Sequence, residues 1–191
     1  MASLCGLGIQ EFHSVYQRDR LELDRGTLAT EEYWRRILAA GGVEPSPELI
    51  ARIEREDALG WTRVNQRVVR WCAELRRAGY RTAILSNMPT DKLSFMRDSG
   101  RFAWIGEFDM AVFSCEHALV KPEQEFYQRC LDLLGAAPRE CVFLDDSAVN
   151  VEAARAIGIG AMVFRSAEEA AVELERKWGL PVSSLVDGTH G

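Results

Sequence analysis

From Tyr80 onward the chain repeats one pattern: a short apolar run ending in polar residues, then a segment with helical periodicity. Residues 82–85, 110–113, 141–144 and 161–164 are apolar stretches of strand length. Residues 123–134 carry Phe126, Cys130, Leu133 and Leu134 at helical spacing. Val151, Ala154 and Ile157 do the same before Gly158, and residues 167–177 form a further helical segment. Strands alternating with helices imply a parallel sheet with helices packed on both faces. Residues 9–79 read differently, as helices throughout. Phe12, Val15 and Tyr16 recur at helical spacing, then Tyr33, Trp34, Ile37 and Leu38, then Leu49, Ile50 and Ile53. Val64, Val68, Trp71, Leu75 and Ala78 form a last apolar stripe, stopped by Gly79. The expected organisation is an N-terminal remnant over residues 1–8, a helical bundle over 9–79 and an α/β domain over 80–191.

The bulk composition excludes several function classes. With 191 residues, 47% hydrophobic and 27% charged, the chain can build one domain with a core and a smaller helical addition. A net charge of -6 argues against a nucleic-acid partner and gives no long-range attraction for anionic substrates. Any anion site has to be built locally. Five cysteines form no CxxC pair and read as buried small hydrophobes in a reducing compartment. His13, His117 and His190 make no zinc pattern. No apolar run approaches a membrane span, and residues 1–8 lack the basic start of a signal peptide. The expectation is a cytoplasmic protein without membrane contact; the oligomeric state is not legible.

Polar residues at the ends of the apolar runs carry the chemistry. Ser86 and Asn87 follow the first run, Lys121 precedes Pro122 and a helix, and Asp145 and Asp146 end the run 142–144. Open α/β sheets place ligands at the carboxyl ends of their strands. Two adjacent carboxylates in a partly buried place repel unless a cation or a proton relieves them. Either one of them caps the following helix, or the pair holds a hard divalent cation, Mg²⁺ above all. A hydroxyl and backbone N–H groups at Ser86, an ammonium at Lys121 and the two carboxylates, with Asn150 nearby in sequence, suit a metal and phosphate site.

In this order the segments resemble the haloacid dehalogenase (HAD) superfamily of hydrolases. Residues 84–87 look like its second motif, Lys121-Pro122-Glu123 with Phe126 and Tyr127 like its third, and residues 142–147 through Gly158 like its fourth. The resemblance implies a three-layer Rossmann-like core with an α-helical cap inserted before the second motif. It also implies Mg²⁺ as cofactor, a small phosphorylated substrate and phosphatase activity through an aspartyl-phosphate. Ser86 and Asn87 would bind the phosphoryl group, and Lys121 would stabilise charge on the nucleophile and phosphate. Asp146 would ligate Mg²⁺ directly, with Asp145 and Asn150 completing its surroundings. Dehalogenation is a lower alternative, because an acidic pair for Mg²⁺ has no role in displacing halide from carbon.

The match has one gap. The family's first motif is a strand ending in the nucleophilic Asp, and it precedes the cap. Residues 1–8 hold no acidic residue, and the first aspartates, Asp19 and Asp24, fall within helical sequence. Cys5 has no basic partner nearby in sequence. The first core strand is therefore absent or replaced. Residues 1–7 fill its place, or the flanking strands close up, or the natural protein starts earlier. The chain as given is expected to be inactive, either as a truncated phosphatase or as a binding or regulatory relative that cannot turn over.

Overall fold

The computed structural model describes residues 1–100 and 102–186. A 3₁₀ turn over Ala2–Cys5 leads into α1 (Ile9–Arg18), α2 (Arg20–Arg25), α3 (Thr30–Ala40), α4 (Pro47–Gly60) and α5 (Gln66–Arg77). Then come β1 (Ala83–Ser86), α6 (Thr90–Asp98), β2 (Met110–Phe113), α7 (Ser114–His117) and α8 (Gln124–Leu134). The chain continues through β3 (Val142–Asp145), α9 (Ala148–Ala156), β4 (Gly160–Val163), α10 (Ala167–Trp178) and α11 (Ser183–Val186). Parallel strands with helices between them make this an α/β fold. Helices α7 and α11 are short, four residues each. The sequence from Gly179 on reads as loop; residues 183–186 of it are helical, and residues 187–191 lie outside the described residues.

The chain divides into two compact units. The first comprises residues 1–63, 86–102 and 113–120. Its core is built on Tyr33, Trp34, Ile37 and Leu38 of α3, all at most 1% exposed, with Leu23 and Ile53. Residues 33, 34, 37 and 38 fall on one face of a helix, and that face is what they bury. The rings of Tyr33 and Trp34 meet edge to face at 5.1 Å. The N-terminal turn belongs to this core. Cys5 is fully buried there, and a Cβ on Gly41 would lie 1.7 Å from the Cys5 carbonyl oxygen, so only glycine lets the two segments meet. Residues 1–7, one candidate for the missing central strand, are thus committed elsewhere and not extended.

The second unit comprises residues 64–85, 103–112 and the chain from Lys121 on. Here β3 and β4 pair in parallel, Val142 opposite Gly160 through Asp145 opposite Val163. Side chains alternate across this ribbon as strand geometry requires. Val142 and Leu144 pack with Trp71, Leu75, Met162 and Leu174 on one face, and Phe143 packs with Tyr127, Leu131, Val151 and Ala154 on the other. Helices cover both faces, giving the expected three layers. The stripe of α5 is buried in this unit, not among the first four helices, so α5 adds to the layer formed with α10.

The strands do not form one sheet. Among the described residues there are two ribbons, β1 with β2 and β3 with β4. The flanking strands have therefore not closed up; a space lined by both remains between β1 and β3.

Leu174 is fully buried in α10, whereas Val172 in the same helix is 65% exposed. Leu174→Ala is expected to cost about 3 kcal/mol in urea denaturation. Val172→Ala should stay within about 0.5 kcal/mol of the parent protein.

Candidate functional site

The most developed polar constellation lies at the carboxyl end of β3. Strand geometry carries Asp145 to the edge of the buried layer, where it is 8% exposed, while Asp146, one residue on, is exposed. The chain then turns into α9. Asp145 makes that turn itself: its Oδ1 accepts from the Ser147 N–H at 2.9 Å and from the Asn150 amide Nδ2 at 2.9 Å. Its Oδ2 faces the Lys121 ammonium at 2.6 Å. Sequence reading offered Asp145 to Ser147 as cap chemistry; the helix N-cap is Ser147, but its side chain makes no capping bond. The carboxylate two residues back does that work, as an Asx turn.

Supporting contacts fix the partners. The Tyr127 hydroxyl of α8 donates to the Asn150 backbone carbonyl at 2.9 Å. The Tyr127 ring stands edge-on to Phe143 at 5.4 Å, and the Lys121 ammonium lies 5.8 Å from the Phe143 ring centre. The sequence places Pro122 directly before a helix. That helix instead starts at Gln124 with Glu123 as N-cap, and Lys121 and Pro122 lie in the turn before it. This turn sets the lysine against Asp145.

Burial pushes the Asp145 carboxyl up, but Lys121 beside it, with hydrogen bonds from Lys121, Asn150 and Ser147, more than offsets this. The group is held below its ordinary range. The cation beside Asp145 is thus a lysine.

The structure brings together Lys121, Asp145 and Asn150, with Asp146 adjacent in the chain. Ser86 ends β1 and Asn87 follows it, both half-buried and both in the first unit. The backbone after them is pinned, because the Met88 N–H donates to Ser114 Oγ at 2.8 Å and that hydroxyl donates to the Asp24 carbonyl. Among the described residues no three His, Cys, Asp or Glu side chains cluster as a metal cage.

Sequence reading missed a buried ionic network in the first unit. Arg20 Nε donates to Asp24 at 2.8 Å, Lys92 pairs with Asp57, and the Tyr16 hydroxyl donates to Asp57 at 3.1 Å. Lys92 is 1% exposed. Trp61 is 42% exposed and lies over Arg20 at 5.0 Å and Lys92 at 5.7 Å. The i,i+4 spacing of Arg20 and Asp24 was the one available signal.

The comparisons with known proteins agree with this architecture. Residues 4–158 match the family model of haloacid dehalogenase-like hydrolases, and the chain belongs to that family. It is 31% identical over 144 residues to bifunctional epoxide hydrolase 2 of Rattus norvegicus, a match covering 67% of this chain and 25% of that protein. The chain therefore spans about a quarter of that relative's length. Two solved structures share the fold. One is a predicted HAD-like family hydrolase from Porphyromonas gingivalis, with TM-score 0.67, 22% identity, and coverage of 88% of this chain and 89% of that one. The other is a HAD family enzyme from Bacteroides thetaiotaomicron in complex with magnesium and inorganic phosphate, with TM-score 0.62, 20% identity, and coverage of 83% and 81%.

The Asp145–Lys121 pair makes the second unit sensitive to acid. The folded Asp145 titrates below its unfolded value near ~4, so its contribution is full above that value and is lost as pH falls through the folded one. Asp145→Asn should cost about 3 kcal/mol near neutral pH by leaving Lys121 without its carboxylate. It should also flatten the fall in stability below pH ~4. Adding Lys121→Met to Asp145→Asn should recover part of the loss, as read by a double-mutant cycle in urea.

Proposed function

We propose that this chain carries the metal- and phosphate-binding part of a Mg²⁺-dependent phosphohydrolase acting on a small phosphorylated metabolite. The observation that carries this reading is Asp145, held ionised at the carboxyl end of β3 by Lys121, Asn150 and the Ser147 N–H, with the exposed carboxylate of Asp146 next to it. Family membership and the magnesium and phosphate bound to the Bacteroides relative point the same way.

The donor set fits the metal. Mg²⁺ is commonly held by one or two carboxylates plus water and phosphate oxygens, not by a closed protein cage, and Asp146, Asp145 and the Asn150 side-chain oxygen are hard donors of that kind. When bound, the ion would neutralise phosphate charge as a Lewis acid. The protein groups have separate tasks. Asp146, unburied, is free to meet a ligand from solvent. Lys121 holds Asp145 ionised and presents a compact positive charge to an incoming phosphoryl oxygen. Phosphoryl binding is also assigned to Ser86 and Asn87, and a cap role to the helical segment before β1.

No aspartate precedes Asp19, and both Asp19 and Asp24 are engaged in ion pairs of the first unit. The 191-residue chain is therefore assigned binding without turnover. In calorimetry with inorganic phosphate present, Mg²⁺ should bind the purified chain, and Asp146→Asn should weaken it about tenfold or more. Unchanged Mg²⁺ affinity in Asp146→Asn would remove the metal assignment. A generic aryl phosphate should not be hydrolysed. Mg²⁺-dependent turnover that disappears in Asp146→Ala would refute the claim of inactivity.

A further inference from the structure

One side chain holds the turn that follows β1. Ser114 opens α7 and is fully buried. Its Oγ accepts from the Met88 N–H at 2.8 Å and lies 3.3 Å from the Met88 carbonyl oxygen. Both backbone polar groups of Met88 thus gather around one hydroxyl, which fixes the peptide planes on either side of that residue. The plane before Met88 is shared with Asn87, and Ser86 lies one residue further back. Met88 and Pro89 are buried, whereas Ser86 and Asn87 are half-buried. The turn is therefore anchored at one end and reaches solvent at the other.

The same hydroxyl also reaches the helical segment. A serine hydroxyl has one proton to give. Ser114 gives it to the Asp24 carbonyl, the closer of its two acceptors. Asp24 lies in the last turn of α2, where carbonyls lack partners within the helix. The Glu22 and Leu23 carbonyls accept from the Thr27 and Gly26 N–H groups, and that of Asp24 accepts from Ser114. The two elements approach closely here: a Cβ on Gly26 would lie 3.2 Å from the Cys115 carbonyl oxygen.

The end of α2 is itself held in place. Asp24 pairs with Arg20 at 2.8 Å, each side chain 8% exposed. Beyond the turn, Lys92 in the first turn of α6 is buried against Asp57 of α4. The Tyr16 hydroxyl joins the two pairs, accepting from Arg20 and donating to Asp57 at 3.1 Å. Residues 86–89 therefore run between two anchors, Ser114 on Asp24 and Lys92 on Asp57, that belong to one network. All of these residues lie in the first unit. Charges taken out of water are costly even when paired, and apolar residues would fill the same space at less cost. What the ion pairs add is fixed geometry on both sides of the turn.

We propose that Ser114 is a positioning residue for phosphoryl binding. It locks the turn that presents Ser86 and Asn87 onto the buried ionic network of the helical segment. Its hydroxyl is committed to backbone groups and is not itself a phosphate ligand. The proposal rests on the assignment of Ser86 and Asn87 to phosphoryl binding.

The test titrates inorganic phosphate into the purified chain with Mg²⁺ present and follows backbone amides by NMR. In the parent chain the Ser86 and Asn87 amides should shift saturably. Ser114→Ala should weaken phosphate binding about fivefold, the effect of one hydrogen bond. It should also speed Met88 amide exchange about tenfold or more. Ser114→Cys fills the same space with a weak acceptor and should weaken phosphate likewise, which keeps the test open if Ser114→Ala does not fold. Ile37→Val loosens the core of the same unit and should leave phosphate affinity unchanged. Unchanged phosphate affinity in a folded Ser114 variant overturns the proposal, and so does equal weakening in Ile37→Val. No shift of Ser86 and Asn87 in the parent chain removes instead the phosphoryl assignment of that turn, and the proposal with it.

Discussion

A carboxylate at the end of a buried strand is tolerable only if something nearby carries the opposite charge. For Asp145 that is Lys121, 2.6 Å away. Much of the second unit follows from this pair. The ammonium comes from the turn before α8, so that turn has to pack where β3 ends. Asn150 reaches back from the first turn of α9 to the remaining oxygen, which fixes where α9 starts. Tyr127 then ties α8 to α9 through the Asn150 carbonyl. One ion pair therefore sets the relative position of a strand and two helices. The same pair leaves Asp146 outside, as the carboxylate able to meet a ligand without first losing a protein partner.

The ribbon that carries Asp145 is stabilised from above and below more than from the side. Val142 and Leu144 face one helical layer and Phe143 the other. Apolar burial on both faces holds such strands even when one edge lacks a neighbour. The cost is concentrated in a few backbone groups of β3, and in β1 across the space from them. A two-stranded ribbon is marginal by itself. Here α5 and α10 pack on one face of it, and α8 and α9 on the other.

Most elements were legible because their signal is local. The stripe of α5, the apolar run of β3 and the left-handed Gly158 just beyond α9 all follow from spacing within a dozen residues or so. Asp145 and Asp146 were recognisable as a pair at a strand end, and Lys121 as a cation in the right order. Their division of labour was not legible. Which acid turns inward depends on strand register, and spacing along the chain does not reveal that Lys121 meets Asp145 across 24 positions. The partner of α5 was equally hidden, since an amphipathic stripe shows that a face is buried and not what buries it. The network of Arg20, Asp24, Asp57 and Lys92 escaped notice because charged residues in helices are ordinarily solvated. Only tertiary packing shows that these are not.

The basic residues of this chain are almost all arginines; lysine occurs only at positions 92, 121 and 177. Their side-chain exposures, 2%, 12% and 41%, place one in the interior of the first unit, one beside Asp145 in the second and one on an outer helix. Besides the terminal amine, amine-directed chemistry thus meets three differently shielded side chains. Lys177 should react as an open reference. Lys92 should become available when the first unit opens, and Lys121 when the second does. Acylation of the native side chains followed by mass spectrometry then reports the opening of each half of the molecule separately.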